Sequence, residues 1–286
     1  MLTPISLSPH PPSHGEQKRT FIYAFLVAAP FIGYALHLTY LPMRDLTTIF
    51  YPAAQSFLHP YSIQGYINPP WAALLVAPIS LFPYEFGRIL ISLLNMLVTG
   101  LLVLKYGGGK SALFIIFTSY PFLFLLSTGS VEWMPMLGLL FNWPILILAK
   151  PQSGALVLFV WLKRTQGKLA FIFSIAAFLG LSLLIWWNWP ILMLENIRTL
   201  PTALASPLNK IILLPWGIPF GLAALYFAFM LDNESLAIVA TWLLVPHLIY
   251  HSLVMGMAVL AARYPLLTLI MSITLYVVVL VRMHFA

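Results

Sequence analysis

Long runs of apolar residues, separated by short polar or proline-containing stretches, dominate the chain. The first run covers residues 21–41, and roughly 20 helical residues at about 1.5 Å each cross the hydrocarbon core of a bilayer, about 30 Å thick. Further apolar segments lie near residues 70–82, 86–104, 112–126, 132–149, 154–162, 169–187, 211–231, 236–261 and 264–281. The pattern predicts an all-α polytopic membrane protein with about nine or ten membrane helices.

Several of these segments are short or interrupted. Residues 70–82 provide roughly 13 residues, too few to cross a bilayer as a helix. Pro135, Pro144 and Pro151 interrupt the stretch from 132 to 162, and proline breaks a helix because it lacks the N–H donor. Unwound backbone at membrane depth is tolerated only beside protein or a water-filled cavity, so the sequence predicts short or broken helices around a polar cavity.

The polar stretches divide the chain into a tail, a first external loop and one membrane domain. Residues 1–20 are polar and proline-rich and do not read as a cleavable signal peptide, so we expect a cytoplasmic tail. Residues 21–286 then form a single transmembrane domain. Within it, residues 44–68 are the first external loop, where apolar and polar positions mix as in a short helix lying at the membrane interface.

Composition favours a membrane location and excludes several other classes. The 286 residues are 61% hydrophobic and 7% charged, with a mean hydropathy of +0.95, so a soluble fold would leave too much apolar surface wet. Because the chain has no cysteine, disulfides, thiolate metal sites and a thiol nucleophile are excluded. The net charge of +7 comes from scattered basic residues, which favours anionic lipid headgroups or a lipid phosphate over nucleic acid.

Basic residues near the ends of the apolar segments set the predicted orientation. Those that favour a cytoplasmic position are Lys18, Arg19, Lys163, Arg164, Lys168 and Arg282. This orientation places the loop containing Asp45 on the non-cytoplasmic side of the cell membrane. Lys105 and Lys110 would face outward if every segment crossed the membrane once. Small-residue packing motifs are too sparse to specify an oligomeric state.

Asp45 stands just beyond the first apolar run and is the leading candidate for chemistry. A carboxylate beside a bilayer must be solvated, paired or used, since burying it unpaired costs several kcal/mol. Pairing with the adjacent Arg44 and service as a catalytic base both fit its position.

Three other polar groups lie in or beside apolar segments: Glu132, Lys150 with Gln152, and His247 with His251. Glu132 fits either a helix N-terminus or a polar cavity, and Lys150 fits either an extended interfacial position or a phosphate site. The two histidines share one face if their helix is continuous, where they would bridge helices or face a phosphate. They lack a recognisable third ligand, so no metal site is predicted.

Three tryptophans, at positions 186, 187 and 189, flank Asn188. Tryptophan is enriched at both membrane–water interfaces. This cluster is therefore interpreted as an interfacial belt in preference to a platform on which a sugar stacks.

The polar residues occur in a recognisable order. After the first apolar run come Asp45, Phe50-Tyr51, Ala53-Ala54, Leu58, Pro60-Tyr61 and Pro69-Pro70; later come Gly129, Glu132-Trp133, Leu137-Gly138-Leu139, Lys150-Pro151-Gln152, Pro246 and His251. This order resembles glycosyltransferase family 87 of the GT-C superfamily, the polyprenyl-phosphate-mannose-dependent mannosyltransferases. The resemblance implies a GT-C-like helical bundle with Asp45 as the catalytic residue. It also implies that the donor phosphate or substrate is bound by residues among Arg44, Tyr51, Glu132, Lys150, Gln152, His247 and His251.

The resulting hypothesis is inverting transfer of a sugar, mannose by the resemblance, from a polyprenyl-phosphate donor to a lipid or glycan acceptor. Asp45 would deprotonate the acceptor hydroxyl, while cations stabilise the departing lipid phosphate. A lipid-borne donor is consistent with the lack of a stretch long enough for a nucleotide-binding domain, and no cofactor is predicted. The alternative is a non-catalytic protein that binds or transports a polyprenyl-phosphate sugar, or a membrane scaffold.

Overall fold

The fold is described from a computed structural model, which covers residues 13–39, 41–199, 210–211, 213–246 and 248–284. Over these residues the protein is all-α. The first eight α-helices are α1 (His14–Leu38), α2 (Tyr51–Gln55), α3 (Pro70–Ser80), α4 (Tyr84–Lys105), α5 (Lys110–Phe117), α6 (Tyr120–Thr128), α7 (Trp133–Phe141) and α8 (Pro144–Leu148). The others are α9 (Val157–Arg164), α10 (Lys168–Ile185), α11 (Trp189–Arg198), α12 (Gly217–Met230), α13 (Glu234–Leu244), α14 (Val254–Arg263) and α15 (Pro265–His284).

Short irregular elements join these helices. A π-helix, Leu46–Phe50, precedes α2, and 3-10 turns form at Pro60–Ser62, Pro151–Ser153 and Tyr250–Leu253. The only strands among the described residues are β1 (Lys210–Ile211) and β2 (Leu248–Ile249). They pair antiparallel, with Lys210 opposite Ile249 and Ile211 opposite Leu248.

Four described helices are long and apolar enough to cross a membrane: α1, α4, α10 and α15. Helices α5 and α6 are separated by a short break and bent by 55° relative to each other. If this pair counts as one span, the number of candidate spans rises to five. The nine or ten predicted membrane helices included short and broken ones, and four or five of the described helices are long enough to cross by themselves. Several of the predicted segments form helices that are too short, or are split by breaks in the chain.

Helix α4 is the central element of the bundle. In its most apolar window 61% of residues are buried, against 6% in α1 and in α10, so these two helices lie at the periphery. Helix α1 runs antiparallel to α4, because Phe21 packs at Gly100 and Gly33 packs at Ile89. The start of α1, with Lys18, therefore lies at the end of α4 that carries Lys105. If every apolar segment crossed the membrane once, Lys18 and Lys105 would lie at opposite ends of the bundle. In the structure they lie at the same end.

The start of α1 differs from the predicted boundary at residue 21. Ser13 Oγ accepts a hydrogen bond from Glu16 N at 3.4 Å, and Glu16 Oε2 accepts one from Ser13 N at 2.8 Å. This reciprocal capping box satisfies two backbone donors that have no partner within the helix. Residues 14–20 of the expected tail are therefore helical, and the first twelve residues lie outside the described part of the chain.

Proline and left-handed residues account for the breaks in the second half. Helix α7 ends at Asn142, which has a φ of 57°, before Pro144 starts α8. The predicted segment 236–261 is wrong as one continuous element. It divides into α13, β2, a 3-10 turn and α14, because Pro246 follows the end of α13 and offers no N–H to extend it.

Residues 44–68, the predicted first external loop, contain short helices as expected, but the apolar side of the first two lies within the protein core. Leu46, Ile49, Phe50 and Ala53 are all buried. The π-helix and α2 therefore form part of the packed bundle rather than a helix resting on its surface.

Candidate active site

Four charged or titratable residues from separate segments meet inside the bundle. Asp45 immediately precedes the π-helix, and Glu132 lies in the turn between α6 and α7. Lys150 precedes the 3-10 turn after α8, and His251 lies in the 3-10 turn before α14. All four had been singled out from the sequence, so the fold brings together side chains that the sequence flagged one at a time. We call them the central cluster.

Glu132 and Lys150 form the buried ion pair of the cluster. Lys150 Nζ lies 2.6 Å from Glu132 Oε1, and both side chains are almost wholly buried. Ser153 Oγ donates a hydrogen bond to Glu132 Oε2 at 2.7 Å, and Ser252 Oγ donates one to Oε1 at 3.1 Å. Lys150 Nζ also donates to Ser130 Oγ at 2.6 Å. The charges are thus paired and supplied with hydrogen bonds, as buried ions require.

His251 connects this ion pair to Asp45. Its Nδ1 lies 2.9 Å from Glu132 Oε1, and its Nε2 lies 3.3 Å from Asp45 Oδ2. Because a carboxylate can only accept, Nδ1–H donates to Glu132 and Nε2 faces Asp45. Within the described residues, Nε2 has no hydrogen-bond partner despite its burial. The contact between Nε2 and Asp45 is therefore an approach at ion-pair distance and not a formed hydrogen bond.

Asp45 is the member of the cluster that reaches solvent. Its side chain is 19% exposed, whereas that of His251 is 2% exposed. This partly exposed side chain can contact a ligand, whereas the other three side chains of the cluster are buried. A carboxylate backed by an imidazole is able to accept a proton from a hydroxyl group.

The turn that carries Glu132 is held by a glycine and an asparagine. Gly129 ends α6 with a φ of 68°, in the left-handed region that favours glycine. Asn95, buried halfway along α4, donates its amide to Ser130 O at 2.9 Å and accepts from Trp133 N at 2.8 Å. The charged cluster therefore lies beside the middle of the central apolar helix. Ionisable groups at such a position mark functional sites by default.

The other turns are fixed by packing and aromatic contacts. The ring of His251 stacks on Phe124 of α6, with centroids 6.0 Å apart and an interplanar angle of 19°. The Phe50 ring, from the first external loop, lies 5.9 Å from Lys150 Nζ. The loop that carries Asp45 thus also covers Lys150.

The remaining predicted site residues take different positions. Arg44 is exposed beside Asp45, and Gln152 is half-buried in the 3-10 turn beside Lys150. Tyr51 points elsewhere: its hydroxyl donates to Phe82 O, and its ring packs edge-on against Tyr84. His247 lies outside the described residues, and the break after α13 removes the continuous helix that would have placed it on the same face as His251.

Sequence reasoning missed the uncharged members of the site. Ser130, Ser153 and Ser252 contact the cluster directly, and Asn95 fixes the turn beside it. The serines offered one signal, since each lies within three residues of a flagged charge. Asn95 is a single amide inside a long apolar helix, and its polarity alone was the signal.

The polar groups of the site do not include a recognisable metal centre. Among the described residues, no group of three or more His, Asp or Glu side chains is placed to hold a metal ion. Comparisons with protein-family models, curated proteins and solved structures find no match for this chain.

Proposed function

We propose that this protein is a membrane glycosyltransferase that moves a sugar, mannose by the sequence resemblance, from a polyprenyl-phosphate donor to a lipid or glycan acceptor with inversion. The observation that carries the proposal is the central cluster. It presents one partly exposed carboxylate, Asp45, in front of a buried His251–Glu132–Lys150 network. In an apolar helical bundle, so many partnered charges at one place favour chemistry over simple packing.

Asp45 is the base in this proposal. Its exposed carboxylate takes the proton from the acceptor hydroxyl as that oxygen attacks the anomeric carbon from the side opposite the phosphate. The bond from the anomeric carbon to the phosphate oxygen breaks, and its electron pair leaves with the lipid phosphate. Because a phosphate leaves readily, a second carboxylic acid of the glycosidase type is unnecessary.

His251, Glu132 and Lys150 act as positioning residues. All three are too deeply buried to touch a substrate, and Lys150 is already neutralised by Glu132. Glu132 orients the His251 ring through Nδ1, which aims Nε2 at Asp45. His251 thereby holds the Asp45 carboxylate in place and stabilises its charge.

The donor phosphate is assigned to Arg44 in place of Lys150. Lys150 was a candidate phosphate ligand, but its ammonium is committed to Glu132 and Ser130. Arg44 is exposed and adjacent to Asp45, and its guanidinium group can form bidentate hydrogen bonds with phosphate oxygens. Gln152 stays a candidate on the half-buried turn, and His247 remains a prediction outside the described residues.

Four helices long and apolar enough to cross a membrane support the proposed membrane location of the protein. The start of α1, with Lys18, shares one end of the bundle with Lys105. The positive-inside rule assigns such an end to the cytoplasm, which puts the loop that carries Asp45 on the non-cytoplasmic side.

The experiment that tests the proposal measures donor binding and sugar transfer separately. Purified protein in lipid nanodiscs is given radiolabelled polyprenyl-phosphate mannose together with membrane lipid and glycan acceptors. We expect Asp45→Asn to bind the donor like the wild type and to lose transfer by at least about a hundredfold, the scale of one general base. Glu195→Gln is the matched control, because Glu195 is an exposed carboxylate on α11 and should retain transfer.

Two results would contradict the proposal. Transfer by Asp45→Asn at the wild-type rate removes the base assignment. Donor binding by the wild type without transfer to any acceptor tested favours the non-catalytic binding, transport or scaffold alternative.

A further inference from the structure

A cleft lies where the end of α10 meets residues 58–62. The cleft, of about 410 Å³, opens between these residues and the turn from α10 to α11. Its volume lies in the range of small-molecule sites. Asp45 is not among the residues that line it.

Two of the tryptophans that line the cleft, Trp186 and Trp189, are held in place by hydrogen bonds of their indole N–H groups. Trp186 Nε1 donates to Phe57 O at 2.8 Å, and Trp189 Nε1 donates to Ser182 Oγ at 3.1 Å. The Trp189 ring also packs edge-on against Trp71, with centroids 5.4 Å apart. An interfacial-belt tryptophan directs its N–H to the headgroup region, whereas these two N–H groups are used inside the protein.

Trp187 differs from its neighbours, because it is among the residues that line the cleft and yet is 80% exposed. Asn188, beside it, is also exposed and adopts a left-handed conformation with a φ of 58°. On the other side, Asn196 of α11 donates to the backbone oxygens of Ile63 and Tyr66, at 3.2 and 3.0 Å. The loop and the turn are thus tied together, so the cleft is preformed.

The chemistry of the lining selects a neutral ligand with many hydroxyl groups. None of the described residues that line the cleft is Asp, Glu, Lys or Arg, and the titratable side chains among them are those of His59 and Tyr61. The lining therefore favours a neutral ligand over a phosphate. The lining combines the aromatic side chains with the amide of Asn188 and the hydroxyl of Ser62. A sugar ring presents both an apolar face, which stacks on an aromatic ring, and equatorial hydroxyls, which hydrogen-bond to amides.

We propose that this cleft binds a neutral carbohydrate, with a sugar ring stacked on Trp187. The inference deepens the proposed function and rests on it for the identity of the ligand, which is the saccharide part of the acceptor. For Trp186 and Trp189, whose N–H groups bond inside the protein, it is preferred to the interfacial belt expected from the sequence.

The test measures binding of mannotriose to the full-length protein in nanodiscs by saturation-transfer NMR and titration. We expect Trp187→Ala to weaken binding about five- to tenfold, the scale of one aromatic stacking contact, and Trp187→Phe to retain it. Trp216→Ala is the matched control, because Trp216 is 81% exposed and is not part of the cleft lining. Removing either exposed side chain deletes little buried contact, so folding is expected to persist.

Three results would overturn the inference: no mannotriose binding by the wild type, equal loss in Trp187→Ala and Trp216→Ala, or displacement of mannotriose by a short polyprenol. The Asp45→Asn variant separates a failure of this inference from a failure of the proposed function. This variant should lose sugar transfer but bind mannotriose like the wild type. Mannotriose binding without any sugar transfer would support the cleft and contradict the transferase. Sugar transfer that depends on Asp45, without mannotriose binding, would support the transferase and contradict the carbohydrate site in the cleft.

Discussion

At the residue scale, the buried pair of Glu132 and Lys150 determines whether the central cluster can exist. Moving two ions from water into an apolar interior costs several kcal/mol each, and their attraction offsets this only when other hydrogen bonds complete the shell. Ser130, Ser153 and Ser252 complete it here. The stability of the site therefore depends on keeping the charges paired more than on either charge alone.

Replacing one partner of this pair should destabilise the protein strongly. Lys150→Met leaves Glu132 buried without its cation, and we expect a loss of about 3–5 kcal/mol in unfolding free energy. The double variant Lys150→Met with Glu132→Gln should recover most of it. Thermal or denaturant unfolding in nanodiscs measures both. Lys110→Met, at an exposed lysine, is the control, and an equal effect of Lys110→Met and Lys150→Met would contradict the importance of the pair.

The sequence identified the charged members of the site but not their contacts. Asp45, Glu132, Lys150 and His251 stood out because charge is costly in an apolar chain. Their pairing depends on where four separate turns meet, which residue types alone do not determine. Lys150 shows the difference: its charge suggested a phosphate ligand, whereas the fold places Glu132 2.6 Å from it.

At the element scale, the turn between α6 and α7 places Glu132. Gly129 is left-handed there, and a Cβ on it would lie 2.8 Å from Leu46 Cβ and 3.0 Å from Met43 Cβ. The turn therefore needs glycine both for its backbone conformation and for the close approach of the loop that carries Asp45.

Gly129→Ala should distort this turn. We expect a loss of about 1–3 kcal/mol in unfolding free energy from the left-handed backbone alone, with sugar transfer reduced further because Glu132 and Asp45 move apart. Gly180→Ala is the matched control: nothing lies within 4 Å of its added Cβ, and alanine in a helix interior should stabilise by up to about 1 kcal/mol. Unfolding measurements that rank the two variants equally would contradict the role of Gly129.

Prolines made the element breaks partly predictable. The interruptions before Pro144 and Pro151 were expected, because proline cannot donate a helical hydrogen bond. The start of α1 was missed, although Ser13 and Glu16 have the spacing of a capping box. The break at Pro246 was overlooked because a single proline lies within a long and mainly apolar run.

At the scale of the whole molecule, the two ends of α4 differ in charge and in chemistry. One end gathers Lys18 and Lys105, together with Arg164, which pairs with Asp232 at 2.7 Å. The loop that carries Asp45 and the tryptophan cleft lie towards the other end. The apparent conflict over Lys105 arose from counting every apolar segment as one crossing, whereas short and broken helices change the parity.

The absence of native cysteine makes this arrangement directly testable. Single cysteines at Lys18, Lys110 and Ser62 occupy exposed positions and can be labelled with a membrane-impermeant maleimide on intact cells. We expect Ser62→Cys to label from outside, and Lys18→Cys and Lys110→Cys to label only after permeabilisation. Labelling of the two lysine positions from opposite sides would contradict the arrangement.

Inverting sugar transfer with Asp45 as the base fixes the anomeric configuration of the product, which can be measured. Product formed from a donor of known anomeric configuration is analysed by NMR for the wild type and Asp45→Asn. We expect the opposite configuration in the wild-type product and no product from Asp45→Asn. Retention of configuration, or product from Asp45→Asn at the wild-type rate, would contradict this mechanism.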